Sequence, residues 1–275
     1  MTDQTKLALN DGRSIPQVGL GVWRTPADET AQVVKTAIDA GYRSIDTAAV
    51  YRNEKGVGEG VRAAGVDRAE LFVTTKLWND DQGYDTALKA FDASLARLGL
   101  DYVDLYLIHW PAPGKNQFVE SWKALIQLQK DGRAKSIGVS NFAVAHLERI
   151  IGETGVAPVV NQIELHPRFQ QPALRSFHAA NGILTESWSP LGQGKVLDDP
   201  VVTKIAAKHG RTPGQVVIRW HVELGLVVIP KSATPERIRA NLQVFDFRLD
   251  AEDLAALASM DTPDGRIGPD PLAFS

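Results

Sequence analysis

Apolar residues fall along the chain in short runs separated by polar, helix-spaced stretches. Eight of the runs, rich in β-branched residues, read as buried strands: 18–22, 43–46, 71–75, 103–108, 136–139, 159–163, 183–186 and 226–229. Between them the apolar spacing becomes that of amphipathic helices, at 29–40, 85–98, 118–130, 143–153, 172–180 and 235–243, several opened by Asp, Thr or Pro. Near-continuous apolar strands alternating with helices belong to a parallel sheet covered by helices, because such a strand has no solvated face. Eight such units match the count of a closed (β/α)8 TIM barrel, an α/β fold. A doubly wound open sheet would place a glycine fingerprint after its first strand. The nearest pattern, Gly56-Val-Gly58-Glu-Gly60, has the wrong spacing and follows the polar Arg52-Asn-Glu-Lys55, so its glycines read as helix packing or filler.

Residues 6–15 place a short apolar run on each side of Asn10-Asp11-Gly12, which predicts a small β-hairpin plugging the bottom of the barrel. Two extra helices are expected at 200–209 and 251–260, and the tail 262–275, rich in Pro, Gly and Asp, is expected to be irregular. No linker-like break interrupts the pattern, so residues 1–275 read as a single barrel domain, a size that suits one α/β barrel.

Composition narrows the function classes. With 44% hydrophobic and 23% charged residues the chain can fill a core, which excludes disordered, collagen-like and coiled-coil classes. A net charge of −3, with Lys and Arg scattered singly and in pairs, carries no footprint for a nucleic acid or an acidic membrane. The lack of cysteine removes disulfides, thiolate metal sites, Fe–S clusters and cysteine nucleophiles together. Residues 1–16 show no apolar signal-peptide core, and no apolar run approaches the roughly 20 residues of a membrane span. The expectation is a cytoplasmic protein with neither nucleic acid nor membrane as partner.

In a barrel of this kind the active site lies where the strands end, so the residue closing each run is the informative one. These endings are polar: Asp46, Lys76, His109, Ser140-Asn141, Asn161-Gln162, Glu186 to Trp188, and Lys231-Ser232. Singly, Asp46 reads as a helix cap, Lys76 as a solvated strand end and His109 as a core histidine. Together they bring an acid, a lysine and a histidine to one mouth. A lysine beside an aspartate stays charged, and its cation is expected to lower the pKa of nearby Tyr51, making that phenol a usable general acid. The six histidines contain no His-x-x-x-His or Glu-x-x-His pair, so no metal site is expected.

Three longer motifs then add a resemblance: Gly41-Tyr-Arg-Ser-Ile-Asp-Thr-Ala48 followed by Tyr51, Asn53, Glu54 and Gly58; Lys135-Ser-Ile-Gly-Val-Ser-Asn-Phe142; and Ile229-Pro-Lys-Ser-Ala-Thr-Pro-Glu-Arg-Ile-Arg-Ala-Asn241. With these in order the chain resembles the aldo-keto reductase family along essentially its whole length. Leu77-Trp-Asn-Asp80, Asn161-Gln-Ile-Glu-Leu-His-Pro167 and Ser189-Pro-Leu-Gly-Gln-Gly-Lys195 are similar to its bacterial 2,5-diketo-D-gluconate reductase-like branch.

The resemblance implies NADPH-dependent reduction of aldehydes, ketones or dicarbonyls, with Asp46, Tyr51, Lys76 and His109 as the catalytic set. It implies a nicotinamide carboxamide held by Ser140, Asn141 and Gln162 under Trp188, where many members carry tyrosine. Ser189, Leu191, Gln193 and Gly194 would then line the pyrophosphate. Lys231, Ser232 and Arg237, with Glu236 and Asn241 near the adenine, would take the adenosine end, its ribose phosphate favouring NADPH over NADH. Trp23, Trp78 and Trp110 each follow a strand end and are expected to wall the substrate pocket, which the short connection 111–117 and the short tail would leave open on one side. Family members are often monomeric, which makes a monomer the expectation.

Other readings remain at this point. A Schiff-base enzyme would use Lys76 as nucleophile. A glycosidase would need two facing carboxylates, for which Glu164 and Glu186 are the candidates besides Asp46. A barrel that binds NADPH as a sensor, with little turnover, would have no need of Tyr51.

Overall fold

The computed structural model describes residues 5–275. Its first element is the hairpin, β1 (Lys6–Ala8) paired antiparallel with β2 (Ser14–Pro16). Leu9 and Ile15 pack with Phe72, Leu105, Leu107 and Val160 inside the barrel, and Asp11 accepts a 2.6 Å hydrogen bond from the Ser136 hydroxyl. The hairpin therefore seals the end of the barrel opposite the mouth, as its sequence predicts.

Eight parallel strands follow: β3 (Leu20–Gly21), β4 (Ser44–Asp46), β5 (Phe72–Leu77), β6 (Val103–Ile108), β7 (Ala134–Ser140), β8 (Val160–Glu164), β9 (Leu184–Trp188) and β10 (Val227–Val228). Each pairs with the next in chain order. Parallel bridges of Val18 with Val228 and Gly21 with Lys231 join the last strand to the first and close the ring. The helices are α1 (Ala27–Asp39), α2 (Glu54–Ala63), α3 (Tyr84–Leu98), α4 (Phe118–Lys130), α5 (Val144–Thr154), α6 (Pro172–Ala180), α7 (Pro200–His209), α8 (Pro213–Glu223), α9 (Pro235–Leu242) and α10 (Ala251–Ala258). One helix follows each strand around the barrel, and α7 and α10 are the two extra helices, each capped by an aspartate, Asp199 and Asp250.

Two helices had no clear pattern in the sequence. In α2 three glycines obscure the helical signal, and a Cβ at Gly58 would stand 1.7 Å from the Leu98 carbonyl oxygen. These glycines are the packing residues that let α2 lie against its neighbours. In α8 every residue from Gln215 to His221 is buried, so no polar stripe marks the period. The end strands are shorter than predicted, Leu20–Gly21 and Val227–Val228, and meet each other only through single bridges on either side. The strand predicted over 71–75 runs on to Leu77 through Thr74, Thr75 and Lys76, all buried.

Strand alternation explains how polar residues gather at one end. On β5 the inward positions are Phe72, Thr74 and Lys76, while Val73 and Leu77 face the helix layer. On β6 and the residue after it they are Leu105, Leu107 and His109; on β8, Val160, Gln162 and Glu164; on β9, Leu184, Glu186 and Trp188. The lower layers are apolar and meet the hairpin. The top layer is polar and belongs to the mouth.

Candidate active site

At the floor of the mouth Lys76 is fully buried, with 0% of its side chain exposed. Its Nζ donates to Asp46 Oδ1 at 2.6 Å and to the Thr47 carbonyl at 2.8 Å. Burial opposes the Lys76 charge, yet the charge and hydrogen bond of Asp46, with Tyr51 and Glu186 nearby, together hold the ammonium above the ordinary lysine range. The Tyr51 ring lies beside it, with Nζ 5.2 Å from the ring centroid. Tyr51 closes a 3₁₀ turn, Ala49–Tyr51, held by Asn53, which donates to the Val22 carbonyl and accepts from Thr47.

The expected lowering of the Tyr51 pKa is not what the structure shows. Burial of the hydroxyl raises it, the Lys76 cation only partly offsets this, and Asp46 adds to the rise. Charge position was legible in the sequence, but the depth of the phenol was not. Tyr51 consequently keeps its proton throughout the neutral range.

His109 meets Tyr51 edge to face at 5.6 Å and Trp78 at 5.3 Å between ring centroids. Burial, reinforced by the Lys76 charge, pushes its pKa well below the usual histidine value, so the ring is neutral. Its Nδ1 is buried without a partner, which leaves Nε2 as the ring nitrogen toward the cavity.

Above this floor opens a cavity of about 640 Å³. Its lining includes Asp46, Tyr51, His109, Ser140, Asn141, Gln162, Trp188, Ser189, Gln193, Lys231, Trp23, Trp78 and Trp110, all anticipated from the sequence. Lys76 lies beneath it. Leu191, Gly194, Ser232, Glu236, Arg237 and Asn241 are outside the lining, on the 191–194 turn and on or before α9. Among the described residues neither Lys231 nor Arg237 takes part in an ion pair, and both are exposed.

Asn141 adopts a left-handed backbone, φ +62°, a conformation asparagine tolerates better than most residues. Its amide donates to Ser140 Oγ and the His109 carbonyl and accepts from the Trp188 indole at 2.8 Å. That last bond fixes the Trp188 ring on the cavity wall.

A match to the Aldo/keto reductase family model spans residues 16–262. The chain belongs to the aldo/keto reductase family. It is 58% identical over 270 residues to an aldo-keto reductase of Mycolicibacterium smegmatis, covering 98% of each chain. It is 53% identical over 276 residues to methylglyoxal reductase DkgA of Escherichia coli, covering 100% of this chain and 99% of that one. A solved structure of a Gox0644 mutant in complex with NADPH matches with a TM-score of 0.96 at 59% identity, covering 99% of both chains.

One part of this aldo/keto reductase departs from expectation. The tail does not leave the mouth open: Ile267, Gly268 and Pro269 line the cavity, and Phe274 packs against Trp110 in a tilted contact with ring centroids 4.7 Å apart. The tail is fastened by Glu164, whose two oxygens accept the Ile267 and Gly268 amides, each at 2.7 Å. Gly268 has to be glycine because a Cβ there would come within 2.5 Å of the Trp188 ring. No periodic signal marks a tail held by one buried carboxylate 103 residues away; the sole hint was an acid at an inward strand position. With both oxygens so engaged, and His166 Nε2 3.0 Å from one of them, Glu164 is not a free carboxylate for glycosidic chemistry. Glu164→Gln keeps the shape but removes the charge and one acceptor oxygen. It is expected to speed hydrogen exchange of the Ile267 and Gly268 amides by about tenfold or more, since bonds to a charged group contribute about 1.5–3 kcal/mol. Unchanged exchange would show that Glu164 does not hold the tail.

Gly21, Arg24, Val50 and Ile229 complete the aldo/keto reductase cavity and were not anticipated. Arg24 lies over the Trp23 ring at 4.1 Å. Among the described residues no cluster of His, Cys, Asp or Glu is suited to hold a metal ion, and no helix is long and apolar enough to cross a membrane.

Proposed function

We propose that this oxidoreductase is an NADPH-dependent carbonyl reductase acting on small aldehydes, ketones and dicarbonyls, with Tyr51 as its general acid. The observation carrying this reading is the succession of phenol, ammonium and carboxylate, Tyr51 facing a cavity walled by tryptophans and Lys76 and Asp46 buried behind it.

The residues fit a nicotinamide dinucleotide. Trp188 presents a fixed flat ring, Gln162 turns its amide nitrogen to Asp46 and Glu186 and keeps its carbonyl oxygen free of protein partners, and Gly192, Gln193 and Gly194 all have positive φ. Successive left-handed residues let backbone amides converge on an anion. Trp188, Ser140, Asn141 and Gln162 would hold the nicotinamide. Ser189, Leu191, Gln193 and Gly194 would hold the pyrophosphate, and Lys231, Ser232, Glu236, Arg237 and Asn241 the adenosine end. When bound, the reduced nicotinamide supplies a hydride for the carbonyl carbon.

The chain supplies the proton and the orientation. Tyr51 donates its hydroxyl proton to the carbonyl oxygen, and the adjacent Lys76 ammonium stabilises the phenolate left behind. Asp46 and the Thr47 carbonyl keep Lys76 charged and aimed. His109, neutral and with Nε2 toward the cavity, would donate from that nitrogen to the same carbonyl oxygen, setting its direction. Lys76 is held as an ammonium between two acceptors, which leaves no free amine for a Schiff base.

Trp23, Trp78 and Trp110 wall the substrate end with aromatic rings, Phe274 packing against the last two, which suits flat or moderately apolar carbonyls. The similarity to methylglyoxal reductase DkgA supports dicarbonyls within that class. Every group in this scheme comes from one chain, so we take the monomer as the working unit and, separately, propose the cytoplasm as its compartment.

The test follows NADPH absorbance with methylglyoxal, phenylglyoxal and a diketo-gluconate, with NADH as control. Turnover is expected on at least one dicarbonyl. Tight NADPH binding with no turnover on any carbonyl would reject the reading. Replacing Lys231 or Arg237 with alanine is expected to raise KM for NADPH about tenfold or more, the size of one charge-assisted contact, with KM for NADH little changed. Equal effects on both cofactors would place these cations away from the 2′-phosphate.

A further inference from the structure

Gln162 sits between two acids. Its amide nitrogen donates one hydrogen to Asp46 Oδ2 at 2.9 Å and the other to Glu186 Oε2 at 3.0 Å, and all three side chains are buried. Asp46 is engaged through its other oxygen by Lys76. Glu186 has no cation partner of its own. It faces inward from β9 in register with Gln162, where burial and the Asp46 charge push its carboxyl up to about 8. Nothing in the proton path through Tyr51, Lys76 and Asp46 uses this acid, and a buried carboxyl group is costly unless it serves as a hydrogen-bond partner.

Its service is to Gln162. A primary amide offers two N–H donors and one carbonyl acceptor. Asp46 alone would engage one hydrogen and leave the other free to turn into the cavity. With Glu186 accepting the second hydrogen, the donor capacity of the amide is used up. Gln162 Oε1, which has no protein partner, is the one polar side-chain atom left for a ligand.

We propose that Glu186 is a positioning residue that locks the Gln162 amide so that it presents only an acceptor to the cavity, selecting a ligand group that donates N–H there, such as a nicotinamide carboxamide. This rests on the reading of the cavity as a nicotinamide dinucleotide site. In that complex the carboxamide nitrogen is the donor, and a ligand carrying a methyl group in its place has nothing to offer Oε1.

Binding can be measured without turnover by titrating NADP+, its 3-acetylpyridine analogue, in which methyl replaces the carboxamide nitrogen, and adenosine 2′,5′-bisphosphate, which lacks the nicotinamide. The wild-type chain is expected to bind NADP+ about five- to tenfold more tightly than the analogue, the size of one neutral hydrogen bond. Glu186→Leu is expected to narrow that ratio to about twofold or less, because Gln162 regains a donor for the acetyl oxygen, while bisphosphate affinity stays unchanged. Glu186→Gln, which still offers an acceptor, is expected to restore the wild-type ratio. Equal binding of NADP+ and the analogue by the wild-type chain would overturn the proposal, whether or not the leucine variant folds. So would a full wild-type ratio in Glu186→Leu. Failure of the wild-type chain to bind either dinucleotide or the bisphosphate would instead reject the dinucleotide site itself, and the inference with it.

Discussion

Tyr51→Phe is expected to lower kcat for carbonyl reduction by about 10²- to 10⁴-fold, the range that a positioned general acid supplies. No neighbour can take over the proton. Lys76 is bound at 2.6 and 2.8 Å to Asp46 and the Thr47 carbonyl, and His109 is neutral. The phenylalanine ring retains the edge contact with His109, so the dinucleotide Kd is expected to stay within about twofold, as no ligand-facing hydrogen bond is lost from the cofactor residues. Stopped-flow hydride transfer and fluorescence titration separate the two. A variant that kept most of its kcat would remove Tyr51 from the chemistry. The same phenol sets the pH dependence. With its pKa above the ordinary tyrosine value, Tyr51 is protonated at every pH where the protein works, so kcat/KM for reduction is expected to be flat from about pH 6 to 9. Alcohol oxidation needs the phenolate and is expected to rise with pH across that range. A reduction profile with an inflection near 7 would assign the acid to another group.

Lys76→Met is expected to cost about 3–5 kcal/mol of stability as well as most of the activity, because it leaves Asp46 charged and buried without its cation. Asp46 is 3% exposed, so water cannot replace the lost partner, and the Thr47 carbonyl loses its donor in the same change. The double variant Lys76→Met with Asp46→Leu is expected to regain part of the stability, since apolar groups of similar volume often replace a buried pair at little net cost. It is expected to remain as inactive as the single variant. Urea unfolding of the three proteins decides this. If the single variant unfolded within about 1 kcal/mol of wild type, the pair would have to be hydrated in the native state.

The two variants divide the floor of the site into a group that reacts and a pair that supports it. Tyr51 is reached from the cavity, so removing its hydroxyl changes the chemistry and little else. Lys76 is packed under it from β5, so removing its charge changes the fold first. Measuring stability and rate on the same samples keeps these effects apart.

Much of this architecture was legible because local pattern and tertiary role agree. Alternating apolar strands and amphipathic helices imply a covered parallel sheet, and Asn10-Asp11-Gly12 implies the hairpin at its base. Polar residues closing apolar runs imply a polar mouth, since the inward position nearest a strand's end is the one that meets the cavity. Asp46, Lys76 and His109 were visible for that reason, Tyr51 through the lysine expected beside it and the motif that contains it, and family membership agrees with the motifs around them.

What the chain alone left undecided depends on contacts distant in sequence. The glycines of α2 became packing residues only once Leu98 was placed against them, and α8 showed no period because the layers around it bury it on all sides. The tail crosses the mouth because Glu164, 103 residues earlier, holds the Ile267 amide. Tyr51 was expected to acidify beside Lys76 and instead holds its proton more tightly, because burial, a property of the assembled walls, outweighs one neighbouring cation. Sequence determined which groups stand at the mouth and in what order. Tertiary structure decided how deeply each is buried and which partner it meets, because desolvation and hydrogen bonding depend on atoms brought together only when the ring closes.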